Sequence, residues 1–454
     1  MQQQPTSIPP GLKTLIDQCH RIYPDQPNPL QVTTILKYWL GGQDPLDYIS
    51  MYNNRGNVEM GILPHWHYIS FGLSDLHGDG RVHVREQNSE TSDYPLSGMG
   101  FELTFRLLKN PNDERPPTWP ANLLQALARY CFQTGNRFCV GDNVPWRKPI
   151  DNSTSSLIQH LLIAEDPQLN MTETPFGSVQ FCQIVGVTEE ELEQASRWNG
   201  KGILNYLKRD VTTGGEWLIT NVYRTQSLFE LFPETLQQLQ DDLEKEGSDL
   251  AGINAEFTFR ELHKQKFKTE IDSDALNEQC LSDENNKFPD TKEICLMDLS
   301  VTNESFSFLQ SMSISNSLED ACPVNFQPLT ANVVPLDGIE ITLAFSAAKY
   351  LLLSIKDRVR HGRHFTFKAQ NLALTILGES VTGGSVNKSN PYGVIGYWVQ
   401  IMITDDLVPR MMEAFQTIDT SKELTERREF EWPDKNLKVI IDNPIPYNTL
   451  KNSS

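Results

Sequence analysis

The sequence predicts a mixed α/β protein of two α/β domains, residues 1–247 and 248–454, with a long acidic insertion over 268–332 in the second. Three observations carry this reading: apolar runs that alternate with period two, amphipathic runs opened by capping residues, and an abrupt change of composition past residue 240. The densest strand signal is the run His65–Phe71 (HWHYISF), where His65, His67, Ile69 and Phe71 share one face and Trp66, Tyr68 and Ser70 the other. Aromatic residues on both faces predict a strand packed on both sides. Gly72–Gly80, rich in Gly and Asp, reads as the turn after it.

The remaining elements follow in order. Asn28-Pro29 offers an N-cap and an N1 proline ahead of LQVTTILKYWL and the breaker Gly41-Gly42, so a helix is expected over 30–40. Phe101–Leu107 (FELTFRL) alternates as a half-buried strand does. Pro120 opens a helix through ANLLQALARYCF, with Leu123, Leu127 and Tyr130 at helical spacing and Gly135 past its end. Gly177–Val187 reads as a buried strand running into a capping box, in which Thr188 caps and Glu191 reaches back. Trp217–Tyr223 (WLITNVY) is a further strand candidate.

From about 240 to 335 Asp, Glu, Ser and Asn dominate, first over 241–247 and again over 270–322. Low hydrophobicity with negative charge cannot offset the entropy of ordering, so 268–332 is expected to be disordered. Within it Ser317 precedes Glu319 and Asp320, the pattern an acidophilic kinase reads, which makes it the phosphorylation candidate. Order is expected again from Pro335. Strands are expected over Gly338–Leu352, in HGRHFTFK (361–368), over Tyr397–Ile403, and at Glu429–Trp432 and Leu437–Ile441; Thr404-Asp405-Asp406 should cap the helix LVPRMMEAF.

Composition excludes several functions. With 59 acidic against 39 basic residues and a formal charge of −20, the chain is a poor match for nucleic acid or an anionic membrane surface. Seven scattered cysteines form no CxxC pair, so neither a disulfide framework nor a zinc knuckle is indicated. The start MQQQPTSIPPGLK lacks the basic and apolar regions of a signal peptide, and the apolar stretch Ile341–Ile355 is cut by Lys349 and too short to span a bilayer. An intracellular, soluble protein is expected.

The search for chemistry returns one cluster. Pro64–Gly80 holds His65, His67, Asp75, His77 and Asp79, and a His-x-His pair on one strand face can hold a metal. A metal-dependent hydrolase using His65 and His67 is therefore the alternative reading, although no cysteine lies near to complete the ligand set. His361-Gly-Arg-His364 is a second polar cluster, better suited to a groove rim or a hydrogen-bonded structural group. No dinucleotide fingerprint, Walker A loop, nucleophile elbow or H-E-x-x-H is present. No cofactor is expected.

A resemblance enters through YPDQPNPLQVTTILKYWLGGQDPLDYISMY (23–52), HWHYISFGLSDLHGDGRVH (65–83), GFELTFRL (100–107), PPTWPANLLQALARY (116–130), TPFGSVQFCQIVGVT (174–188), WNGKGIL (198–204), WLIT (217–220) and HGRHFTFK (361–368). Together these resemble the Suppressor of fused family of negative regulators of Hedgehog signalling, and the insertion resembles that of insect members. The resemblance implies a non-enzymatic clamp of two domains that binds Gli/Cubitus interruptus zinc-finger transcription factors. It implies that a Ser-Tyr-Gly-His-Leu segment is gripped between the domains as an added β-strand, that Fused kinase and a Costal-type kinesin scaffold are further partners, and that the protein is cytoplasmic with a nuclear fraction. Carried onto this chain, Tyr130 and Phe138 would wall the groove, and Asp142 and Glu165 would face the partner histidine. Ile253 and Ala255 would line the pairing strand with Tyr350 opposite, and His361 would stand at the rim. At Tyr350 and Ala348 the chain departs from the Leu and Gly of vertebrate members.

Overall fold

A computed structural model describes residues 8–83, 95–263, 333–370, 372–418 and 424–443. The insertion expected over 268–332, and Ser317 with it, lies outside the described residues.

The first lobe is built on an eight-stranded sheet. Its strands are β1 (Leu30–Thr33), β2 (Tyr48–Asn54), β3 (His65–Phe71), β4 (Leu96–Leu108), β5 (Asn143–Val144), β6 (His160–Glu165), β7 (Thr172–Thr174) and β8 (Gly177–Val187). They run in the order β1-β2-β3-β4-β8-β6-β5, with β7 also paired to β8. The β4–β8 pair is parallel and the others antiparallel. Helix α1 (Pro10–Ile22) packs its Leu12, Leu15 and Cys19 with Ile69, Phe71, Val179 and Phe181 of the sheet. Helix α2 (Trp119–Thr134) covers another part with Leu123, Leu124 and Leu127 and stops at Gly135, whose φ of 75° is the left-handed conformation of a glycine C-cap. Helices α3 (Glu189–Arg197), α4 (Gly200–Leu207), α5 (Leu228–Leu231) and α6 (Glu234–Glu246) share a third core with β6 and β8. The capping box at Thr188 and Glu191 forms as expected, and Arg224 clasps Glu191 from the far side.

The second lobe holds two sheets. One runs β10 (Phe257–Glu261), β12 (Ile339–Leu343), β18 (Leu437–Ile441), β17 (Arg428–Trp432). The other runs β11 (Val334–Pro335), β15 (Tyr392–Ile395), β16 (Trp398–Ile403), β14 (Ala373–Gly378), β13 (Phe365–Lys368), β9 (Gly252–Asn254). A single core draws Ile341, Leu343 and Val439 from the first sheet and Phe367, Leu374 and Ile401 from the second, together with α7 (Ala348–Leu353) and α8 (Val408–Gln416). Leu243 belongs to the last core of the first lobe and Leu250 packs on that of the second.

Three expected elements differ. Residues 30–40 form strand β1 and a one-turn helix at Tyr38–Leu40, because the β-branched dipeptide Val32-Thr33 pairs along β2. Trp217–Tyr223 is a loop touching the sheet through one bridge, Leu107 to Thr220; Leu218 sits at φ 51°, and Gln183 takes the carbonyls of Trp217 and Leu218. Gly338–Leu352 is a strand only to Leu343, after which the Ala- and Leu-rich stretch turns helical.

The larger departure concerns β4. Its alternate residues Glu102, Thr104 and Arg106 were expected to face water, yet all three are fully buried. Each finds its partners inside. Glu102 accepts from Ser70 Oγ, Gly72 N, Ser74 N and Ser74 Oγ. Arg106 donates from Nε to Gln183 at 3.0 Å, from Nη1 to His65 Nε2 at 2.8 Å and to Gln168 at 3.0 Å, and from Nη2 to both oxygens of Asp166 at 2.8 and 3.1 Å. Asp166 also accepts from Thr104 Oγ1, from the amides of Gln168 and Leu169, and from His67 Nε2 at 3.0 Å. Burial together with the Arg106 charge lowers His65 to about 3 and His67 to about 4. Both imidazoles are therefore neutral, with His65 accepting from Arg106 and His67 accepting from the Tyr23 hydroxyl at 2.8 Å. Despite the burial cost, Arg106 and His67 hold the Asp166 carboxyl well below the usual carboxylate range.

Removing one member of this pair strands the other charge inside, so Asp166→Ala should destabilise the fold by about 3–5 kcal/mol in urea unfolding. Lys13→Ala, which breaks an exposed ion pair with Asp17, should leave the midpoint unmoved; equal effects would mean that the buried pair is screened. The histidines also set a pH dependence. Unfolded, each binds a proton below about 6.5, whereas folded it stays neutral down to about 4 or 3. Their stabilisation is complete above pH 6.5 and fades as the pH falls. Lowering the pH from 7.5 to 5.5 should thus cost roughly 2–3 kcal/mol from the two together. A flat urea midpoint over that interval would show that they are not held neutral.

Candidate functional site

The fully buried strand β3 leaves His65 and His67 no room for chemistry. His65 Nδ1 donates to the Leu63 carbonyl, and with Tyr23, Asp166 and Arg106 all four ring nitrogens of the pair are engaged. A metal would have to displace one of these bonds in a site with no exposure to solvent, so the hydrolase reading finds no open ligand position there. Asp75, His77 and Asp79 serve the turn instead: Asp75 Oδ1 accepts from the amides of His77 and Gly78, and Asp79 Oδ1 from that of Arg81. Among the described residues, donors at metal-ligand spacing meet at Glu261, His263 and Asp337, all exposed.

The first-lobe groove residues do come together. Tyr130 lies in the last turns of α2 and Phe138 on the loop beyond it, with ring centroids 5.7 Å apart. Phe138 is fixed in turn by an edge contact with Phe101 of β4 at 6.4 Å. Asn136 Nδ2 donates to the Tyr130 hydroxyl at 2.8 Å, holding the loop against the helix. Asp142 closes a turn, accepting from Cys139 N on its carboxylate at 2.8 Å while its own amide donates to Cys139 O. Its carbonyl takes the amide of Ile163, which anchors the turn to β6. Tyr130, Asn136, Arg137, Phe138, Asp142, Asn143 and Val144 line one recess. Glu165, exposed at the end of β6, pairs in register with Cys182. Burial pushes that Cys182 thiol up to about 12, with Cys139, Asp142 and Glu165 adding to the rise and the Arg137 charge opposing it. The recess lies at a sheet edge, because β5 begins directly after Asp142 and is the last strand in its order.

The second-lobe residues stand on other elements. Ile253 lies on β9, the edge strand of its sheet, opposite Phe367; Ala255 prolongs the pairing through its amide to Lys368 O. Tyr350, expected opposite a strand, is in helix α7 and half-buried against the second-lobe core. His361 belongs to the joint between the lobes. Its ring abuts Gly247, where a Cβ would come within 2.8 Å, and its neighbour Arg360 pairs with Glu244 of α6 at 2.6 Å. Nearby Arg358 and Arg363 both donate to the Ser248 carbonyl at 2.7 Å. Sequence reasoning missed Asn136 and Arg137 in the recess; their position in the loop between Gly135 and Phe138 was the available signal.

Comparison with known proteins assigns both lobes. The family described as Suppressor of fused protein matches residues 42–225, and that described as Suppressor of Fused Gli/Ci N terminal binding domain matches 237–441. The mouse (Mus musculus) Suppressor of fused homolog is 41% identical over 461 residues, spanning 96% of this chain and 93% of that protein. The crystal structure of Drosophila Suppressor of Fused is 57% identical, with a TM-score of 0.80 over 96% of this chain and 98% of that one. A chain of the Sufu-Fu complex crystal structure is 65% identical, with a TM-score of 0.49, covering 52% of this chain and 99% of that one. The motifs quoted from the sequence, the mixed α/β architecture and these likenesses agree, and the chain belongs to the Suppressor of fused family of Hedgehog-pathway regulators.

Proposed function

We propose that the protein acts without catalysis, by gripping a Gli/Cubitus interruptus transcription factor through its Ser-Tyr-Gly-His-Leu segment, retaining it in the cytoplasm and blocking its activation. The observation that carries this reading is the recess at the sheet edge: two aromatic walls, Tyr130 and Phe138, next to Asp142 and a free-edged strand β5. Strand β9, with Ile253, is likewise an edge of its sheet. An extended peptide can add to such edges by main-chain hydrogen bonds while pockets read its alternate side chains. Asp142 and Glu165 supply the negative potential that favours a protonated partner histidine. Tyr350, being helical, would contribute a packed side chain and no strand pairing.

Fused kinase and a Costal-type kinesin scaffold belong to this proposal on the strength of the family resemblance, as does the cytoplasmic location with a nuclear fraction. Placement among insect members is supported by the higher identity to the Drosophila chain than to the mouse one. Reversing the charge tests the site. Asp142→Arg should weaken binding of a Ser-Tyr-Gly-His-Leu peptide in calorimetry at least about 100-fold, the scale of truncating a buried charged contact. Far-UV circular dichroism of the variant should match that of the parent, and its thermal midpoint, lowered by loss of the turn-closing bond to the Cys139 amide, should stay above the assay temperature; unchanged affinity would refute the assignment.

A further inference from the structure

Among the described residues, the recess holds a cation with no ion-pair partner. Arg137 is exposed on its rim, and its guanidinium lies over the backbone of Gly100 in β4. The register of β4 shifts between Leu96 and Phe101, and Gly100 within that bulge has φ 78°. A Cβ at Gly100 would come within 2.8 Å of Arg137 Nη2, so the guanidinium rests on bare backbone. Among the described residues no carboxylate pairs with Arg137 and no acceptor satisfies its N–H groups. Arg106, Arg224 and Arg363 by contrast each hold a carboxylate. Asp142, on the same recess, has turned an oxygen to the Cys139 amide.

A planar fork of donors at the rim of the recess, with no ion-pair partner among the described residues, matches a carboxylate. In a chain carrying −20 formal charge most of the surface repels acidic ligands, so one placed guanidinium discriminates among them by position. We infer that Arg137 is a specificity-determining residue that takes the carboxylate of an aspartate or glutamate flanking the gripped peptide. The inference rests on the groove reading above and names a second feature of the peptide beyond its histidine.

The test uses the full chain and calorimetry with paired peptides: Ser-Tyr-Gly-His-Leu carrying Asp, or in its place Asn, immediately before the serine or immediately after the leucine. In one of the two positions the Asp peptide should bind about 5- to 10-fold tighter than its Asn twin, the scale of one charge-assisted hydrogen bond. Arg137→Gln should erase that preference, weakening the Asp peptide about 5- to 10-fold more than its Asn twin, and Arg137→Lys should restore part of it. No Asp-over-Asn preference at either position, or an equal loss for both peptides in Arg137→Gln, overturns the role of Arg137 alone. Failure of every peptide to bind the parent protein overturns the groove reading, and the role of Arg137 with it.

Discussion

The first lobe depends on the Arg106–Asp166 pair. Two opposite charges with no exposure to water are tolerable only when nearly every donor and acceptor around them is used. That requirement recruits the rest of the lobe. Arg106 needs Gln183 from β8, His65 from β3 and Gln168 from the turn after β6; Asp166 needs Thr104, His67 and two amides of that same turn. Tyr23, just past α1, completes His67 and stacks on Tyr52 at 4.4 Å, so the N-terminal helix is tied into the network as well. A shift of any one element by a residue would leave a buried polar group unpaired, at a cost of several times the worth of a single hydrogen bond. The network therefore selects one register of the sheet more than it adds net stability.

Much of the fold was legible in the chain because local rules and tertiary packing agree there. His65–Phe71, Gly177–Val187 and the Thr188 capping box show this, as does the helix closed by Gly135. The failures have a common cause. A pattern of apolar and polar residues reports which side chains resist water, and takes polar ones to be exposed. Glu102, Thr104 and Arg106 break that assumption, since their partners arrive from 28 to 77 positions away in sequence. Residues 30–40 and Trp217–Tyr223 were misjudged because strand pairing in one and a side-chain amide in the other captured the backbone.

The candidate site was legible only through the resemblance. Tyr130 and Phe138 look like core residues to any periodicity argument, and Asp142 looks like a turn. In the structure they are also those things: buried rings and a turn-closing carboxylate that happen to meet at a sheet edge. Their second role comes from location, which no local pattern encodes. Arg137 was invisible for the same reason, because its guanidinium meets the bulge at Gly100, nearly 40 positions earlier.

The antiparallel pairing of β10 with β12 has a consequence for how this chain can change. The ladder joins Glu261 to Ile339, so the two ends of the chain between them stand side by side, and just before Ile339 that chain pairs once more, as β11 on β15. Closing a connection costs entropy that grows only as the logarithm of its length, so doubling the intervening chain would add about 0.6 kcal/mol. Insertions and deletions there are nearly free to the lobe that carries them. A change of length between these ends would leave the register of β12 on β10 and β18 intact.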